Sequence, residues 1–584
     1  MTVLQNLTRR TVVAVAAVVL AGTVVALPTA APAAADPEVV VQGGITQVAT
    51  WGHAPGTAID LLAPDGTTVD SGEADDQGAL LFRLVDPGPG YVVRTPDGDS
   101  DPVEVTDPED HPDPSTYDDV ELSTGYGYIP TRDGTLLSAT VTMPITGGTA
   151  PYPTVVTYSG YDPSNPDAVL PEALPYLLLG YAVVAVNMRG SGCSGGAFDY
   201  YEPATSTDGY DVIETVAAQD WSNGRVGMVG ISYSGISQLY VAATRPPHLE
   251  AITALSPYAD AYRGILYPGG ILNRGFALEW ALDRQAAARP AARPWVRDRI
   301  AGGDTVCEEN QVLRLQSRDL ETEITAGRFD PEEELHLAIS SFADRIEVPT
   351  YLAAQFQDEQ TGGSAVTLAD TLQADGKPFR ATFGNGAHAD PLGPTEYPRV
   401  IEFVEMYVGR KVPDLTLLRA AAPDLMRDIF EDPIEMPPDR FTGMTFDDAL
   451  AAYETEPPVR LRYEVGAVAG REGAPYATAV REYDAWPIPG TEVERWFLGP
   501  DGTLATTPTD IADDTPRATT SYRYAPDEAH PPTSAEDSND DLWKRHPDLA
   551  WSAPVEDTHL TFTTPAATAT SVYAGSGSVD LWLR

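Results

Sequence analysis

The sequence is poor in cysteine, histidine and basic residues, and it lacks a long hydrophobic run. Its 584 residues include 2 Cys, 8 His and 37 Lys and Arg against 86 Asp and Glu, so the formal net charge is −49. Two cysteines are too few for a cysteine-based zinc site, and we predict neither a metal nor another cofactor. The acidic excess argues against nucleic acid or an anionic membrane as a partner.

The main apolar run, from Val12 to Leu27, is shorter than the roughly 20 residues that a membrane-spanning helix needs. It follows Arg9-Arg10 and precedes Ala33-Ala34-Ala35, which is the order of a secretory signal peptide and its cleavage site. We therefore predict that residues 1–35 are a signal peptide, that no segment spans a membrane, and that the protein is secreted through the Sec or the twin-arginine route. In an exported protein, Cys193 and Cys307 could form one disulfide.

The composition changes along the chain and predicts several domains. Short apolar runs separated by Gly, Pro and Asp over residues 36–106 predict a small β-sandwich module, and residues 107–124 have the composition of an acidic linker. Strand-like and helix-like stretches alternate over residues 125–412, which predicts a mostly parallel sheet covered on both faces. Residues 413–584 return to a β-type pattern.

Apolar runs predict the strands of the parallel sheet: Leu136 to Thr142, Thr154 to Tyr158, Ala182 to Asn187, Val226 to Val229, Ala251 to Leu255, Thr350 to Ala354 and Arg380 to Phe383. Helices are predicted at Gly209 to Trp221 and at Gly235 to Thr244. Residues 260–345 carry helical signals alone. An insertion of this length between two strands is expected to form a helical cap over the ends of the sheet.

The segment VRLRYEV, from Val459 to Val465, alternates apolar and charged residues and predicts a half-buried strand of an antiparallel sheet. Similar strands are predicted at Val493 to Leu498, Leu560 to Phe562 and Val579 to Leu583. Because the last of these runs into Arg584 without a turn, we expect the sequence to end inside its last domain.

Residues 225–235, RVGMVGISYSG, place two serines where a buried strand turns into a helix. In the nucleophile turn of an α/β-hydrolase, the residues two before and two after the serine approach closely, so both must be small. If Ser232 is the nucleophile, these two residues are Gly230 and Ser234, which are both small. If Ser234 is the nucleophile, they are Ser232 and the β-branched Ile236, which would clash. We therefore predict that Ser232 is the nucleophile.

A serine nucleophile needs a histidine base and an acid, which in this fold follow it in the order acid, then histidine. Among the eight histidines, His388 alone lies directly after a predicted late strand, in FGNGAHAD. The loop QFQDEQTGG follows the strand at residues 350–354, and both Asp358 and Glu359 qualify as the acid. For the oxyanion hole, we predict the backbone N–H of Tyr233, with Tyr161 in the loop SGYDP as a second donor.

Several motifs together resemble the α/β-hydrolases that include bacterial cocaine esterase, α-amino-acid ester hydrolases and X-prolyl dipeptidyl-peptidases. They are IPTRDGTLLSATVTMP, GYDP, RGSGCSGG, GISYSG, LYPGGILNRGFALEW, QDEQTGG and the histidine loop. The resemblance covers roughly residues 125 to 410 and implies Ser232, Asp358 and His388 as the triad, with Tyr161 and Tyr233 as oxyanion donors. It also implies a helical cap and a C-terminal jelly-roll domain.

The fold class predicted is therefore α/β: an α/β-hydrolase core with a cap at 260–345, flanked by the β-sandwich and by a C-terminal jelly roll that is incomplete. The leading functional hypothesis is an exported serine hydrolase that cleaves small ester, amide or peptide substrates through an acyl-enzyme. An X-Pro dipeptidyl-peptidase is the alternative within the same chemistry. An extracellular binding protein on a hydrolase scaffold is the alternative from another class.

Overall fold

The computed structural model describes residues 38–168, 170, 173–327, 335–425, 430, 435–499, 502–508, 521–523 and 559–581. The predicted signal peptide, residues 1–35, lies outside these described residues. Within the part of the chain that the structure describes, no helix combines the length and the apolar character that a membrane crossing requires.

The N-terminal segment is a small all-β module, as predicted. Its strands are β1 (Val40–Gly44), β2 (Gln47–Trp51), β3 (Ala58–Leu62), β4 (Thr68–Glu73), β5 (Leu80–Arg83), β6 (Gly88–Thr95), β7 (Gly98–Asp99) and β8 (Val103–Val105). They form one sheet in the order β1-β2-β5 and a second in the order β4-β3-β6-β7, with β8 paired to β6. Val48, Phe82 and Ile59 belong to one buried cluster between the two sheets.

A ten-stranded mixed sheet forms the centre of the molecule. Its strands are β9 (Gly125–Pro130), β10 (Leu136–Thr142), β11 (Tyr152–Ser159), β12 (Ala182–Asn187), β13 (Ser222–Ile231), β14 (Leu249–Leu255), β15 (Thr350–Gln355), β16 (Phe379–Gly384), β17 (Val459–Val465) and β18 (Ala477–Tyr483). The order is β18-β17-β16-β15-β14-β13-β11-β12-β10-β9. Strands β11 to β17 are parallel, which confirms the predicted α/β class.

Helices cover both faces of this sheet. They include α1 (Leu174–Leu178), α2 (Pro203–Ala217) and α3 (Tyr233–Ala243), and later Leu368–Leu372, Tyr397–Val404, Thr416–Leu425 and Phe446–Glu454. Consecutive strand residues alternate between two buried clusters. Val156 packs with residues of α2 and α3, and Val155 packs with Val400 of the helix Tyr397–Val404. The central strands are therefore buried on both sides.

The cap lies between β14 and β15, where the described residues form helices and turns only. Its longer helices are α4 (Phe276–Ala288), α5 (Pro294–Ala301), α6 (Thr305–Glu309) and α7 (Leu320–Ala326). Short helical turns lie at Tyr262–Leu266, Pro268–Gly270, Arg314–Gln316, Leu335–Leu337, Ile339–Ser341 and Ala343–Arg345. Other short turns lie at Pro114–Tyr117, Gly363–Thr367, Ala374–Gly376, Asp390–Leu392 and Glu405–Gly409.

A disulfide joins Cys193, in the loop after β12, to Cys307 in α6 of the cap, across 114 residues of sequence. Replacing both cysteines with alanine should lower the free energy of unfolding by roughly 2 to 5 kcal/mol, because a long loop then regains its entropy in the unfolded chain. Guanidinium unfolding of the two proteins, followed by tryptophan fluorescence, measures this loss. Equal stability, or two titratable thiols in the oxidised wild type, would contradict the prediction.

The central sheet continues past the predicted domain boundary between residues 412 and 413. Strands β17 and β18, which we assigned to the C-terminal β domain, extend this sheet, because β17 pairs in parallel with β16. Val459 and Leu461 complete the same buried cluster as Phe383. The helices Thr416–Leu425 and Phe446–Glu454 also occupy a segment predicted as β.

The strands predicted beyond residue 484 are largely wrong within the described residues. Two short strands, β19 (Phe497–Leu498) and β20 (Leu504–Ala505), pair with each other, whereas 560–562 and 579–581 are not strands. Residues 582 and 583 lie outside the described residues. Val493 and Val579 are 97% and 74% exposed, so neither side chain packs into a core formed by the described residues.

Candidate active site

Ser232 stands alone between β13 and α3. The strand ends at Ile231 and the helix begins at Tyr233, and Ser232 takes φ 61° and ψ −124° between them. A non-glycine residue at such a φ is held by its surroundings, and strained residues of this kind cluster at functional sites. The Ser232 N–H donates to the Leu255 carbonyl at 2.9 Å, which fixes the turn against the end of β14.

The close approach expected around this turn is present. A Cβ at Gly230, whose φ is 150°, would lie 2.3 Å from Ser234 Oγ, so position 230 accepts nothing larger than glycine. The Ser234 hydroxyl itself donates to the Ile231 carbonyl at 3.0 Å. Ser234 therefore serves the local backbone, which leaves Ser232 as the serine that lines the cap pocket.

His388 and Asp358 lie side by side. Asp358 follows β15 and His388 follows β16, and His388 Nδ1 is 2.9 and 2.8 Å from the two Asp358 carboxylate oxygens. Asp358 Oδ1 also accepts the backbone N–H groups of Gln360 and Thr361 at 2.9 and 2.8 Å. The carboxylate is thus held in place by its own loop while it faces the imidazole.

Glu359, the other acid that the sequence offered, binds a different part of the same histidine. Its carboxylate accepts the His388 backbone N–H at 2.9 Å. Burial raises the pKa of Glu359 above its ordinary value, with the His388 charge opposing this shift. The structure therefore brings both candidate acids to His388, but only Asp358 reaches the ring.

The serine and histidine loops meet at the end of β14. Ser232 is bonded to Leu255, and the hydroxyl of the next residue, Ser256, donates to the His388 carbonyl at 2.8 Å. His388 Nε2 is buried and has no hydrogen-bond partner among the described residues. Burial alone would lower the pKa of His388, but the Asp358 charge, its hydrogen bond and the Glu359 charge together raise it.

Tyr161 lies directly after β11 and reaches the serine. Burial raises the pKa of its phenol above the ordinary value. Arg284 above the ring and hydrogen bonds with Trp280 and Ser232 oppose this shift without reversing it. Trp280 Nε1 donates to the phenol oxygen at 2.6 Å. The phenol therefore keeps its proton at neutral pH and can donate it toward a group bound at Ser232.

The second predicted oxyanion donor, the Tyr233 N–H, belongs to the first residue of α3. The first N–H groups of a helix have no partner within it, so this donor is available beside Ser232. The Tyr233 and Tyr161 rings meet edge to face, with centroids 5.2 Å apart. The structure thus places both predicted donors next to the serine.

A pocket of about 910 Å³, including the space open to solvent, lies between Ser232 and the cap. Its wall is mainly aromatic and aliphatic, with a few charged residues. The lining comprises Tyr161, Asp199, Tyr200, Ser232, Tyr233, Ile236, Tyr262, Ile265, Leu266, Tyr267, Phe276, Ala277, Trp280, Ala281, Arg318, Leu320, Glu323, Ile324, His336, Leu337 and Thr361.

Sequence reasoning missed part of this site. The sequence patterns assign no role to His336, Asp199, Arg318 or Glu323, which all line the pocket. No short motif marks such residues, because they reach the pocket from distant parts of the chain. His248, which the sequence patterns also leave without a role, pairs with Glu214 at 2.7 Å and does not line the pocket.

A mostly parallel sheet with a serine at a strand-to-helix turn and a histidine–aspartate pair after later strands defines an α/β-hydrolase. Residues 133–390 match the family described as X-Pro dipeptidyl-peptidase (S15 family). Residues 451–584 match the X-Pro dipeptidyl-peptidase C-terminal non-catalytic domain. Residues 133–390 thus belong to the S15 family of hydrolases, and the two matches together confirm the predicted resemblance.

Individual relatives match smaller parts of the chain. A cocaine esterase from a Rhodococcus species is 32% identical over 157 residues, which cover 26% of this chain and 27% of that protein. A CocE/NonD family hydrolase from Staphylococcus aureus shares 19% identity over 66% of this chain and 60% of its own, with a TM-score of 0.47. An aminopeptidase from a Thaumarchaeota archaeon shares 17% over 75% and 70%, with a TM-score of 0.49.

Proposed function

We propose that this protein is an exported serine hydrolase that cleaves ester or amide bonds through an acyl-enzyme, with Ser232, His388 and Asp358 as its triad. The observation that carries the proposal is the contact of His388 Nδ1 with both Asp358 oxygens, on a loop bonded to the end of β14 beside Ser232. An acid that holds one ring nitrogen leaves the other free to accept a proton from serine.

The proposed reaction has two halves. Ser232 Oγ attacks the substrate carbonyl carbon while His388 Nε2 takes its proton, and the Tyr161 phenol and the Tyr233 N–H bind the oxyanion. The intermediate collapses as His388 returns the proton to the leaving alcohol or amine, which leaves an acyl-serine. His388 then deprotonates a water that attacks this ester, and the acid leaves as Ser232 regains its proton.

The pocket favours an acyl group with apolar or aromatic character, because aromatic and aliphatic side chains together make up most of its wall. An X-Pro dipeptidyl-peptidase remains the second candidate, because Asp199 and Glu323 are carboxylates that could receive a peptide amine. Both, however, pair with Arg318, at 3.6 and 2.9 Å, so the amine would compete with a guanidinium. Rates on p-nitrophenyl acetate and glycyl-prolyl-p-nitroanilide separate the two candidates.

Labelling with a fluorophosphonate probe tests the catalytic proposal. The wild type and Ser234→Ala should label, and Ser232→Ala should not, because a phosphonylated serine forms only where a base activates the hydroxyl. Ser234→Ala is a matched control, since it removes the other hydroxyl of the same turn. If the wild type does not label, the binding protein on a hydrolase scaffold becomes the better description.

Tyr161→Phe should lower kcat by about 100- to 1,000-fold with a small change in KM, because it removes one donor to the developing oxyanion and keeps the ring. Tyr200→Phe removes a phenol from the same pocket without touching Ser232, and it should change kcat by less than about threefold. Steady-state kinetics on one ester compares the variants. Similar losses in both would argue against Tyr161 as an oxyanion donor.

Export is supported by the composition of residues 1–35 and by the disulfide, which belongs to an oxidising compartment. Expression of the full chain in a bacterial host, followed by N-terminal sequencing of the exported protein, tests it. We expect a mature N-terminus near residue 36, and protein that stays in the cytoplasm with an intact N-terminus would refute export.

A further inference from the structure

The N-terminal β module packs against the cap at its turn Arg314–Gln316. The Gln316 side chain accepts the Leu81 N–H at 3.1 Å and donates to Asp75 at 2.6 Å. The Arg83 guanidinium donates to the Gln316 carbonyl at 2.8 Å. A small apolar cluster that includes Ala49, Ala79, Ala197 and Leu313 fills the space beside these bonds.

From this contact, Arg83 also reaches a residue of the pocket wall. Asp199 Oδ2 lies 3.5 Å from Arg83 Nε and 3.6 Å from Arg318 Nη1, and the Arg83 and Asp199 side chains are 20% and 8% exposed. Asp199 and Arg318 line the pocket, whereas Arg83 does not. The pocket carboxylate is thus held between one arginine of the cap and one arginine of the β module.

A second bond ties the module to the same loop. The Gln47 amide donates to the buried Glu202 carboxylate, three residues after Asp199. Between them, the Tyr200 N–H donates to Asp199 Oδ1 at 2.6 Å, and the Tyr201 hydroxyl donates to the Tyr233 carbonyl at 3.0 Å. The loop that the module holds therefore contacts the helix that begins beside Ser232.

We propose that the N-terminal β module sets the charge selectivity of the acyl pocket, with Arg83 as a positioning residue that neutralises Asp199 from outside the pocket. The inference rests on the proposed function of this pocket. Arg83 Nε is nearer to Asp199, at 3.5 Å, than to Glu202, at 4.0 Å. With Arg83 in place, its guanidinium and that of Arg318 offset the two pocket carboxylates, Asp199 and Glu323, so the pocket suits neutral or anionic acyl groups. Without Arg83, the two carboxylates face one arginine, and a cationic group gains while an anionic group loses.

Arg83→Ala should therefore raise the ratio of kcat/KM for a cationic ester to that for an anionic ester by roughly three- to tenfold, the size expected for one partly screened charge. The probes are the p-nitrophenyl esters of 6-aminohexanoate and of adipate, which have chains of similar length. Arg83→Lys should keep most of the wild-type ratio. Asp199→Asn should lower the ratio, which is the opposite of the change expected in Arg83→Ala. The shift should shrink in 1 M salt.

Arg94→Ala is the matched control, because Arg94 pairs with Asp99 on the exposed side of the same module and should leave the ratio unchanged. A general loosening of the module would lower kcat/KM for the cationic and the anionic ester alike. An unchanged ratio in Arg83→Ala overturns the inference.

Calorimetry on Ser232→Ala, with phenethylammonium and 3-phenylpropanoate as non-reactive probes, repeats the comparison without catalysis. Arg83→Ala in this background should shift the ratio of affinities the same way. If the wild type hydrolyses neither ester but the affinity ratio shifts, the proposed function fails and the inference stands. If neither probe binds, or if the affinity ratio does not change, the inference is overturned.

Discussion

His388→Ala is expected to lower kcat on an ester substrate by about 10⁴- to 10⁶-fold, because the variant lacks the base that we propose takes the Ser232 proton. The loss should fall on kcat with little change in KM, since the pocket wall does not depend on the imidazole. Burst and steady-state kinetics with p-nitrophenyl acetate measure both quantities. The variant should also stop reacting with the fluorophosphonate probe.

The pH dependence follows from the same residue. In the proposed reaction the neutral imidazole is the active form, and Asp358 and Glu359 raise the pKa of His388 despite the effect of its burial. The kcat/KM of the wild type should therefore fall as the pH drops through a pKa that lies above 6.5, the ordinary value for histidine. A midpoint well below 6.5 would show that the two carboxylates do not act on the ring as the structure indicates.

His248→Ala provides the control for this variant. His248 also contacts a carboxylate, Glu214, at 2.7 Å, but its side chain is half exposed and lies away from the pocket. Its replacement should change kcat by less than about twofold. A loss comparable to that of His388→Ala would mean that the assay reports folding rather than catalysis.

The central strands of the hydrolase sheet could be predicted from the sequence because they are buried on both faces. Ala182–Asn187 is entirely buried, and a continuous apolar run is what a parallel central strand requires. The same reasoning failed beyond residue 484, where Val493 and Val579 are apolar yet exposed. It also missed that β17 joins β16, because alternation at Val459–Val465 shows a half-buried face and not which strand it pairs with.

The candidate site could likewise be predicted from the sequence only in part. The small residues around Ser232 predicted its turn because the turn is local, and the scarcity of histidine singled out His388. The ion pairs of Asp199 with Arg83 and Arg318 join residues more than 100 positions apart, and no local pattern announces such contacts. Sequence position also failed to separate Asp358 from Glu359, because adjacent residues of one loop both reach the same histidine by different atoms.

Replacing these two acids one at a time separates their roles and should give the second large effect. Asp358→Asn is expected to lower kcat by about 10⁴-fold, as an asparagine in the acid position does in a Ser-His-Asp triad. The structure supplies the reason. Oδ1 accepts the N–H groups of Gln360 and Thr361, so the new amide would keep its oxygen there and turn its nitrogen toward His388. An amide donor at Nδ1 puts the ring proton on Nε2, the atom that must accept the serine proton.

Glu359→Gln is the matched comparison, because the new side chain has the same length and its amide oxygen can still accept the His388 N–H. It removes only the negative charge that helps to raise the pKa of His388. The protonated ring then loses stabilisation, so the acid limb of kcat/KM should move to lower pH while kcat at pH 8 changes by less than about threefold. The reverse pattern, a large loss in Glu359→Gln and a small one in Asp358→Asn, would transfer the role of the acid to Glu359. Equal losses in both would mean that the loop needs its two charges for folding, which a comparison of thermal midpoints would reveal.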